Sequence, residues 1–363
     1  MFLSNISLFN FKSYSDFSVD FARKVSCFTG NNGVGKTNLL DAVYFVCLTK
    51  SHFQSADSQL LKSGTEQLAV RASFSFDHLR CSIKAFSSST EGKQFFIDEV
   101  PVKRLTDMVG QFPVVFVSPM DQFLIHEGSG ERRRLMDNLL CQTDDHYLQC
   151  LLQYNRLIQQ RNALLKQFAL QRRWDADLLE ALDVRIPESA RYIFQCRRQM
   201  TDTILPDFRS YYSFISNGHE VPDLIYQSEL QDMDMAEWLL TNREKDRILQ
   251  RTSSGIHRDE MVFGLDNKPA KRFASQGQQK SYLLALKLAS YQFLRQKAGF
   301  FPLLLLDDLF DRLDAQRCQQ LLELISGPEF GQVLVTDTSS QAIRQIAGSF
   351  DEKFDYFEIH KPS

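Results

Sequence analysis

The residues best suited to chemistry form a glycine-rich loop near the N-terminus, Gly-Asn-Asn-Gly-Val-Gly-Lys-Thr at positions 30–37. This spacing is that of a phosphate-binding loop, in which backbone N–H groups and a lysine surround an anion. Lys36 would neutralise phosphate charge, and the Thr37 hydroxyl would bind Mg²⁺. The other candidate nucleotide contacts are Gly30, Asn31, Asn32, Gly33, Val34, Gly35 and Asn38. The loop therefore predicts binding of a nucleoside triphosphate with Mg²⁺.

The residues on either side place this loop between a strand and a helix. Residues 25–29 are β-branched, aromatic and few in number, as in a buried strand. Residues 38–46 have the helical spacing of apolar side chains. The order strand, loop, helix is the context that phosphate binding requires, because the helix N-terminus adds unpaired N–H groups and a positive dipole end.

A second set of candidates lies far downstream, where the apolar run 300–306 ends in Asp307 and Asp308. Such a run is typical of a strand buried on both faces in a parallel sheet, and ligands bind at the carboxyl ends of such strands. Asp307 would hold Mg²⁺, as a Walker B aspartate does. Asp308 would orient or deprotonate the attacking water. Together with the loop, this acidic pair indicates the second half of one nucleotide site.

A third segment, Ser275-Gln276-Gly277-Gln278, precedes a helix that is predicted over residues 280–297. A serine and a glycine ahead of a helix make a second anion site. The Ser275 end of one subunit would then cap the γ-phosphate of a nucleotide held by another subunit. An ordinary N-capped helix explains the same residues and, taken alone, is the simpler interpretation.

Composition limits the classes to which the chain can belong. Its 363 residues are 43% hydrophobic and 24% charged, which indicates a globular protein with a large core and a second lobe. A net charge of −3 excludes a globally basic nucleic-acid coat, so any DNA contact must be a local patch or a shared dimer surface. Seven cysteines without a C-x-x-C pair indicate reduced thiols in a cytoplasmic protein. No signal peptide or membrane-length apolar run is visible, so we expect no membrane partner.

Periodicity divides the chain into three parts, 1–122, 123–250 and 251–363. The first contains the loop and several short alternating runs between residues 68 and 100, typical of half-exposed antiparallel strands. The second is dominantly helical and too short for a long coiled-coil rod. The third returns to α/β character. Three prolines predict breaks in the helical part: Pro187, Pro206 and Pro222.

Two features near the predicted site stay open between function and structure. Asp121-Gln122, after a predicted strand over residues 114–117, forms either a linker that senses Mg²⁺ or water, as a Q-loop does, or a simple turn. Lys12, in the opening strand, either reaches phosphate or adenine or lies on a solvated strand edge. His257 and Asp259 are too few ligands for a zinc site.

Basic residues are concentrated in the helical part. They form either a surface that tracks DNA phosphates or a solvated helix face with acidic neighbours. The cluster comprises Arg132, Arg133, Arg134, Arg156, Arg161, Lys166, Arg172, Arg173, Arg185, Arg191, Arg197 and Arg198.

Taken together, these segments resemble the ABC-type ATPase heads of the SMC and RecF group, and in detail the RecF family. The resembling motifs follow family order across nearly the whole chain, at residues 10–14, 50–52, 128–137, 255–260, 275–281 and 303–314. The resemblance implies an α/β fold, in which a mixed sheet with a phosphate-loop core and an antiparallel β subdomain form the head. It also implies an inserted helical lobe, a signature motif at Ser275–Gln278 and a D-loop at residues 309–314.

The resemblance implies a function as well. It is that of a weak, DNA-stimulated ATPase of repair and recombination, which binds ATP and Mg²⁺ and forms a homodimer on ATP. Such a protein binds double-stranded DNA near single-strand gaps and assists recombinase loading with RecO- and RecR-type partners. Arg132, Arg133 and Arg134 match a family block and are the expected DNA contacts; the alternative is that this run pairs with acidic residues of the lobe. Arg258 is expected to help organise the nucleotide interface.

Several positions depart from the family pattern. Phe53 stands where many relatives carry arginine, Ile256 replaces a proline and Glu260 an aspartate. Asp308 stands where many ABC ATPases have glutamate, and Asp337 falls where transporters place the switch histidine, which RecF-like proteins also lack. The residue that senses the γ-phosphate is therefore not assigned.

Three other classes compete with this interpretation. A transporter-type ATPase subunit has its phosphate loop and Walker B strand much closer together, and the inserted arm has no place in it. A nuclease with the same head would need an additional acidic metal-binding domain. A non-catalytic SMC-like structural clamp would follow if Asp308 is too short to activate water, and measured turnover separates that case.

Overall fold

The structure is a computed structural model that describes residues 1–54, 56–76, 79–216, 220–308, 315–339, 343–345 and 348–360. The expected D-loop at residues 309–314 lies outside the described residues. The chain folds into two compact units. The first unit comprises Met1–Gln122, Ser210–His219 and Ser275–Ser363, and the second comprises Phe123–Arg209 and Glu220–Ala274.

Fourteen strands are present in the described residues. They are β1 (Phe2–Phe11), β2 (Tyr14–Asp20), β3 (Val25–Thr29), β4 (Gln67–Phe76), β5 (Leu79–Ser88), β6 (Gly92–Ile97), β7 (Val100–Pro101), β8 (Val114–Val117), β9 (Pro222–Gln227), β10 (Glu260–Leu265), β11 (Lys268–Pro269), β12 (Leu303–Leu306), β13 (Val333–Asp337) and β14 (Phe354–Glu358).

Eleven α-helices lie in the same part of the chain. They are α1 (Lys36–Leu48), α2 (Phe123–His126), α3 (Ser129–Cys141), α4 (Asp145–Gln171), α5 (Ala176–Asp183), α6 (Ile186–Ser216), α7 (Met235–Thr241), α8 (Arg243–Leu249), α9 (Ala270–Phe273), α10 (Gln276–Ala298) and α11 (Ala315–Ser326).

The first unit contains two sheets. One is antiparallel, in the order β2-β1-β4-β5-β6-β7, and the other is parallel, in the order β14-β3-β13-β12-β8. Strand β4 shows the predicted alternation, because Leu68, Val70, Ala72 and Phe74 are buried while their neighbours are more exposed. Strands β3, β12 and β13 are buried along their whole length, as central strands covered on both faces are.

Helix α1 packs against strands of both sheets, and its side chains join one hydrophobic core with them. Leu39, Val43 and Phe45 on α1 are fully buried, and Phe45 lies against the rings of Phe11 and Phe95 from the antiparallel sheet. This packing fixes the direction of α1, and with it the phosphate loop that precedes the helix.

The second unit is mainly helical but includes a three-stranded sheet, β11-β10-β9. Strand β9 lies inside the region that was predicted to be helical. It forms a strand because it pairs antiparallel with β10, which lies more than thirty positions later in the chain. Residues 251–274, assigned to the C-terminal part of the head by sequence, belong to this unit. The division into head and lobe as functional parts stays a prediction.

Two of the predicted proline breaks are wrong. Helix α6 continues through Pro206, and Pro187 lies in the first turn of that helix, where a missing N–H costs nothing. A proline inside a helix costs about 3 kcal/mol, and burial of Phe208, Tyr212 and Ile215 beyond it offsets that loss. Pro222 does mark a change, since β9 begins there.

Candidate nucleotide-binding site

The carboxyl ends of three adjacent parallel strands carry the predicted chemistry. Strand β13 pairs with β3 through Thr336 opposite Phe28 and Asp337 opposite Thr29, and β12 pairs with β13 on its other side. The loop that starts at Gly30 and the acidic pair after β12 therefore emerge at the same sheet edge. This edge is where an α/β sheet binds ligands.

Backbone conformation explains the glycines of the loop. Gly30, Gly33 and Gly35 all have positive φ, at 149°, 81° and 108°, in the region that L side chains rarely adopt. At Gly35 space is limiting as well, since a Cβ there would lie 2.7 Å from the Ser13 hydroxyl oxygen. The Tyr14 hydroxyl donates to the Gly35 carbonyl at 3.1 Å, so the opening strands support the loop.

Lys36 is folded over the loop that it follows. Its ammonium donates to the carbonyl oxygens of Gly30 at 2.7 Å and Asn31 at 3.0 Å, and the residue is buried. A buried cation beside backbone N–H groups and a helix N-terminus is the charge distribution that stabilises phosphate oxygens.

Thr37 and Asp307 are in direct contact although they lie 270 positions apart in the chain. The Thr37 hydroxyl lies 2.9 Å and 3.0 Å from the two carboxylate oxygens of Asp307. The Asp307 N–H donates to the Val117 carbonyl at 2.9 Å, which anchors the backbone between β12 and β8. The two residues expected to hold Mg²⁺ are thus brought together by the sheet.

The donor set at this contact fits Mg²⁺. A hydroxyl oxygen and a carboxylate are hard oxygen ligands, and Mg²⁺ usually takes one or two carboxylates together with phosphate oxygens and water. Among the described residues there is no group of three or more His, Cys, Asp or Glu that would form an all-protein metal cage. The site therefore suits a cation that arrives with a nucleotide.

Burial makes the Asp307 carboxyl an unusual acid. Its pKa is raised to about 6, first by burial and then by the neighbouring Asp308 carboxylate, while hydrogen bonds from Thr336 and Thr37 and the charge of Lys36 act in the opposite direction. A carboxylate that is costly to keep ionised gains when a cation binds beside it.

Asp308 follows with a left-handed backbone, φ 48°, which is uncommon for a residue with a Cβ. It lines a cavity of about 330 Å³ together with residues of the phosphate loop. The other lining residues are Asn32, Gly33, Gly35, Lys36, Thr37, Asn38, Asp337 and Thr338. Neither Asp337 nor Thr338 was among the predicted site residues, although the sequence places Asp337 where transporters carry the switch histidine.

Lys12 is held away from solvent by an acidic partner on α1. Its ammonium lies 2.5 Å from Asp41, whose carboxylate is buried and also accepts from the Ser51 hydroxyl at 2.6 Å and the His52 N–H at 2.7 Å. The ammonium also lies 5.6 Å from the Phe53 ring centre, a cation–π distance. Neither alternative foreseen for Lys12 included this pair.

Ser275 is the N-cap of α10, and the predicted start of that helix was wrong. The helix begins at Gln276, not at residue 280, because Ser275 and Gln278 form a capping box. The Ser275 N–H donates to Gln278 Oε1 at 2.6 Å, and the Gln278 N–H donates to Ser275 Oγ at 3.3 Å. Ser275 and Gln276 are exposed, and Gly277 in the first turn lies beside Arg317.

Asp121, one of the residues left open between linker and turn, is buried and paired. Its carboxylate accepts from the Ser118 N–H at 2.7 Å and lies 2.7 Å from the Lys287 ammonium on α10. Lys287 also donates to the Phe116 carbonyl at 2.7 Å. Gln122 is exposed. Asp121 therefore ties the segment after β8 to the helix that Ser275 caps.

The arginine run of the second unit is largely engaged within that unit. Arg132 makes a bidentate pair with Glu260, at 2.6 Å and 2.7 Å, and donates to the Leu124 carbonyl at 2.6 Å. Arg133 donates to the Asp259 carbonyl at 2.6 Å. Arg134 has its side chain 75% exposed and pairs with Glu131 on the same helix. Of the three, Arg134 is the most accessible.

Two other members of the basic cluster are buried. Arg161 contacts Asp183 and Asp246, both at 2.6 Å, and Arg197 contacts Asp259 at 2.7 Å and Asp137 at 2.9 Å. These arginines organise the interior of the helical unit. In the described part of that unit, the cluster members with exposed side chains are Arg134, Arg156, Lys166, Arg172, Arg173, Arg185, Arg191 and Arg198.

His257 is also engaged within the second unit. Its Nδ1 lies 2.7 Å from the Tyr154 hydroxyl, and its Nε2 lies 3.2 Å from the Thr252 carbonyl. Burial lowers the pKa of the imidazole to about 4, so it is neutral near pH 7. Arg258, the next residue, is exposed.

The glycine loop, the aspartates after β12 and the serine-capped helix define an ATPase head of the ABC type. The RecF/RecN/SMC N terminal domain family matches residues 2–354. Over 366 aligned residues, the DNA replication and repair protein RecF of Flavobacterium johnsoniae is 38% identical, covering 99% of this chain and 100% of the relative. The chain belongs to the RecF family.

Solved structures agree with this assignment. The recombination mediator protein RecF of the RecFOR pathway, in its ATPrS form, matches with a TM-score of 0.87 and 26% identity, covering 99% of this chain and 96% of that one. The ATP form matches with a TM-score of 0.86 and 28% identity, covering 93% and 92%. The predicted fold class and family are confirmed. In the described residues, no helix has both the length and the apolar character needed to cross a bilayer.

Proposed function

We propose that this chain binds ATP with Mg²⁺ in the cavity at the ends of β3, β12 and β13, and hydrolyses it slowly in a head-to-head dimer. Two ATP molecules lie between the Lys36-bearing face of one subunit and the Ser275-bearing face of the other. ATP closes this dimer on duplex DNA near single-strand gaps, and hydrolysis opens it. The protein assists recombinase loading there with RecO- and RecR-type partners.

The observation that carries the nucleotide site is the contact between Thr37 and Asp307, 270 positions apart. A glycine-rich turn of no function would not need a buried carboxylate from another strand against its first helical hydroxyl. Burial raises the pKa of Asp307, so the protein alone must keep a costly carboxylate ionised here, and the hydrogen bond from Thr37 offsets only part of that cost. A buried, ionised carboxylate is stabilised when a cation binds beside it, so this site is suited to a bound cation.

Each residue has a role that follows from its position. Lys36 and the loop N–H groups hold the β- and γ-phosphates, and Thr37 and Asp307 hold Mg²⁺. When bound, Mg²⁺ neutralises charge on the phosphate oxygens. Asp308, on the cavity wall, orients or deprotonates the attacking water. Asp337, the last residue of β13, and Thr338, which follows it, form another part of the cavity wall.

The dimer contact rests on the exposed start of α10. Ser275 and Gln276 are exposed at the N-terminus of a 23-residue helix, whose dipole favours an anion. The Ser275 hydroxyl already accepts one N–H but retains its own hydrogen for a phosphate oxygen. The γ-phosphate of an ATP held by a second subunit would interact favourably with the helix dipole and accept the Ser275 hydroxyl hydrogen.

The DNA contact is proposed at Arg134 and the other exposed basic side chains of the second unit. Arg132 and Arg133 belong to the predicted block, but their guanidinium groups bind Glu260 and a backbone carbonyl. We therefore assign Arg132 and Arg133 a structural role within the second unit and Arg134 a contact with DNA phosphate.

Mg-ATP turnover per molecule, measured across protein concentration with and without gapped duplex DNA, tests the proposal. A rate that rises steeply with concentration and DNA supports a composite site assembled on DNA. A rate per molecule that is constant and indifferent to DNA would refute the clamp.

Three variants separate the steps. Lys36→Met is expected to abolish nucleotide binding, and Asp308→Asn to bind ATP yet remain in the closed dimer without turnover. Ser275→Arg is expected to bind ATP but stay monomeric, whereas normal dimer formation by this variant would refute capping in trans. Sedimentation with ATP measures the oligomeric state, and a fluorescent ATP analogue measures binding.

A second candidate is a non-catalytic clamp that binds ATP without turnover. The observation in its favour is Asp308, whose side chain is one methylene shorter than the glutamate of many ABC ATPases and whose φ is 48°. ATP-dependent dimerisation with no phosphate release, in the wild type, would establish this alternative.

A further inference from the structure

Thr336, the fourth residue of β13, contacts both Walker B aspartates although no motif singled it out. Its hydroxyl donates to Asp307 Oδ1 at 2.7 Å and accepts from the Asp308 N–H at 3.0 Å. Thr336 is fully buried, so solvent does not compete for either bond. One hydroxyl thus joins the carboxylate of one aspartate to the backbone of the next.

The two bonds together determine how the hydroxyl is oriented. A hydroxyl has a single hydrogen, and the carboxylate accepts it, so the N–H of Asp308 must meet a lone pair. Asp307 Oδ1 receives a second hydrogen bond from Thr37 at 2.9 Å. The carboxylate is therefore held between a hydroxyl on α1 and a hydroxyl on β13, and its plane is set by both.

Asp308 gains a second benefit from the same contact. Its φ of 48° lies in the left-handed region, which is unfavourable for a residue with a Cβ. The N–H donated to Thr336 stabilises this conformation, and the conformation places Asp308 on the wall of the cavity. Without the hydroxyl, the hydrogen bond from this N–H to Thr336 would be lost.

We propose that Thr336 is a positioning residue for ATP hydrolysis, which holds Asp307 toward Mg²⁺ and Asp308 toward the attacking water. This inference rests on the proposed function of the cavity. Thr336 itself touches neither nucleotide nor metal and acts through the two aspartates.

Position on the sheet makes Thr336 suited to this role. Its neighbours in register are Phe28 on β3 and, one residue earlier, Val335 opposite Leu306 on β12. Thr336 is thus at the level where β3, which leads into the phosphate loop, and the Walker B strand β12 both end. Asp337 and Thr338, the next two residues, line the cavity, so a change in β13 is transmitted to its wall.

The test compares Thr336→Val with Thr336→Ser. Valine keeps the shape and burial but removes the hydroxyl, whereas serine keeps the hydroxyl. We expect the valine variant to lose about ten-fold in kcat and to show a raised KM for Mg-ATP, and the serine variant to retain most of the activity. Binding of a fluorescent ATP analogue should be unchanged in EDTA and weakened by valine when Mg²⁺ is present.

Thr201→Val is the matched control. Thr201 is a buried threonine of α6 in the second unit, and its hydroxyl donates to the Arg197 carbonyl at 2.9 Å. The Thr201→Val variant also loses one buried threonine hydroxyl, but Thr201 does not line the cavity, so turnover should stay at the wild-type value. Thr336→Ala, which adds no apolar volume, replaces the valine variant if thermal melting shows that valine prevents folding.

Three results would count against the positioning role of Thr336. Equal loss in the serine and valine variants would show that the methyl group and not the hydroxyl matters, and would overturn the proposal. Wild-type turnover and Mg²⁺ dependence in the valine variant would overturn it too. Failure of the wild type itself to bind Mg-ATP would instead refute the proposed function of the cavity, and the positioning role with it.

Discussion

Replacing Asp307 by asparagine should make the protein more stable while abolishing its function. Asp307 is buried, and its pKa is raised from 3.8 to about 6. A raised carboxyl pKa means that the folded state disfavours the charge. The cost of ionisation is absent below the unfolded pKa of 3.8, grows as pH rises from 3.8 to about 6, and is complete near pH 7.5.

The magnitude follows from the shift. At 1.36 kcal/mol for each pKa unit, ionised Asp307 costs the folded protein about 3 kcal/mol near pH 7.5. The asparagine amide carries no charge, but its buried N–H groups need hydrogen-bond acceptors, and the unmet need costs about 1 kcal/mol. The expected gain for Asp307→Asn is therefore about 2 kcal/mol near pH 7.5, and the ionisation cost falls to roughly half by about pH 5.

Urea denaturation without nucleotide, in EDTA, at the two pH values measures this difference. Asp16→Asn on β2 is the control, because Asp16 is exposed and its replacement should leave stability unchanged at both pH values. The prediction is refuted if Asp307→Asn is no more stable than the wild type near neutral pH. It is refuted equally if the gain does not shrink at the lower pH.

Three further changes test other contacts. Lys287→Met should destabilise the first unit by about 3–5 kcal/mol, because it leaves the buried Asp121 carboxylate without its cation, and urea denaturation against the wild type measures the loss. Arg132→Ala should lower stability, because Glu260 loses its guanidinium partner. Arg134→Ala should leave stability unchanged and reduce the salt dependence of DNA binding by about one ion. A stability loss in Arg134→Ala together with a smaller salt dependence in Arg132→Ala would contradict the assignment. Gly35→Ala should abolish ATP-analogue binding, since φ is 108° and a Cβ meets the Ser13 hydroxyl at 2.7 Å, and unchanged affinity would show that the loop tolerates the strain.

The family and the two halves of the candidate nucleotide site were predictable because their signals are local. A phosphate loop needs glycines at fixed positions, and a central parallel strand must be apolar along its length, so both are visible in short segments. The start of α10 was missed although its signal was local too. The serine and glutamine of a capping box lie three residues apart, and the helix begins between them.

The helical part shows the opposite case. Strand β9 exists only because β10 pairs with it, and nothing within β9 itself indicates that partner. Pro206 lies inside α6 because the residues beyond it are buried, which outweighs a local rule against proline in helices. Tertiary contacts decided these elements.

The amino-acid sequence by itself determined that this chain carries a phosphate loop, a Walker B strand and a capped helix in RecF order. Only the tertiary structure decided which groups meet. Thr37 reaches Asp307, Thr336 joins both aspartates and Lys12 pairs with Asp41. The physical reason is that a side chain's charge and hydrogen bonds depend on neighbours that the sheet brings from distant positions. A motif specifies the residue types, and the fold specifies their partners.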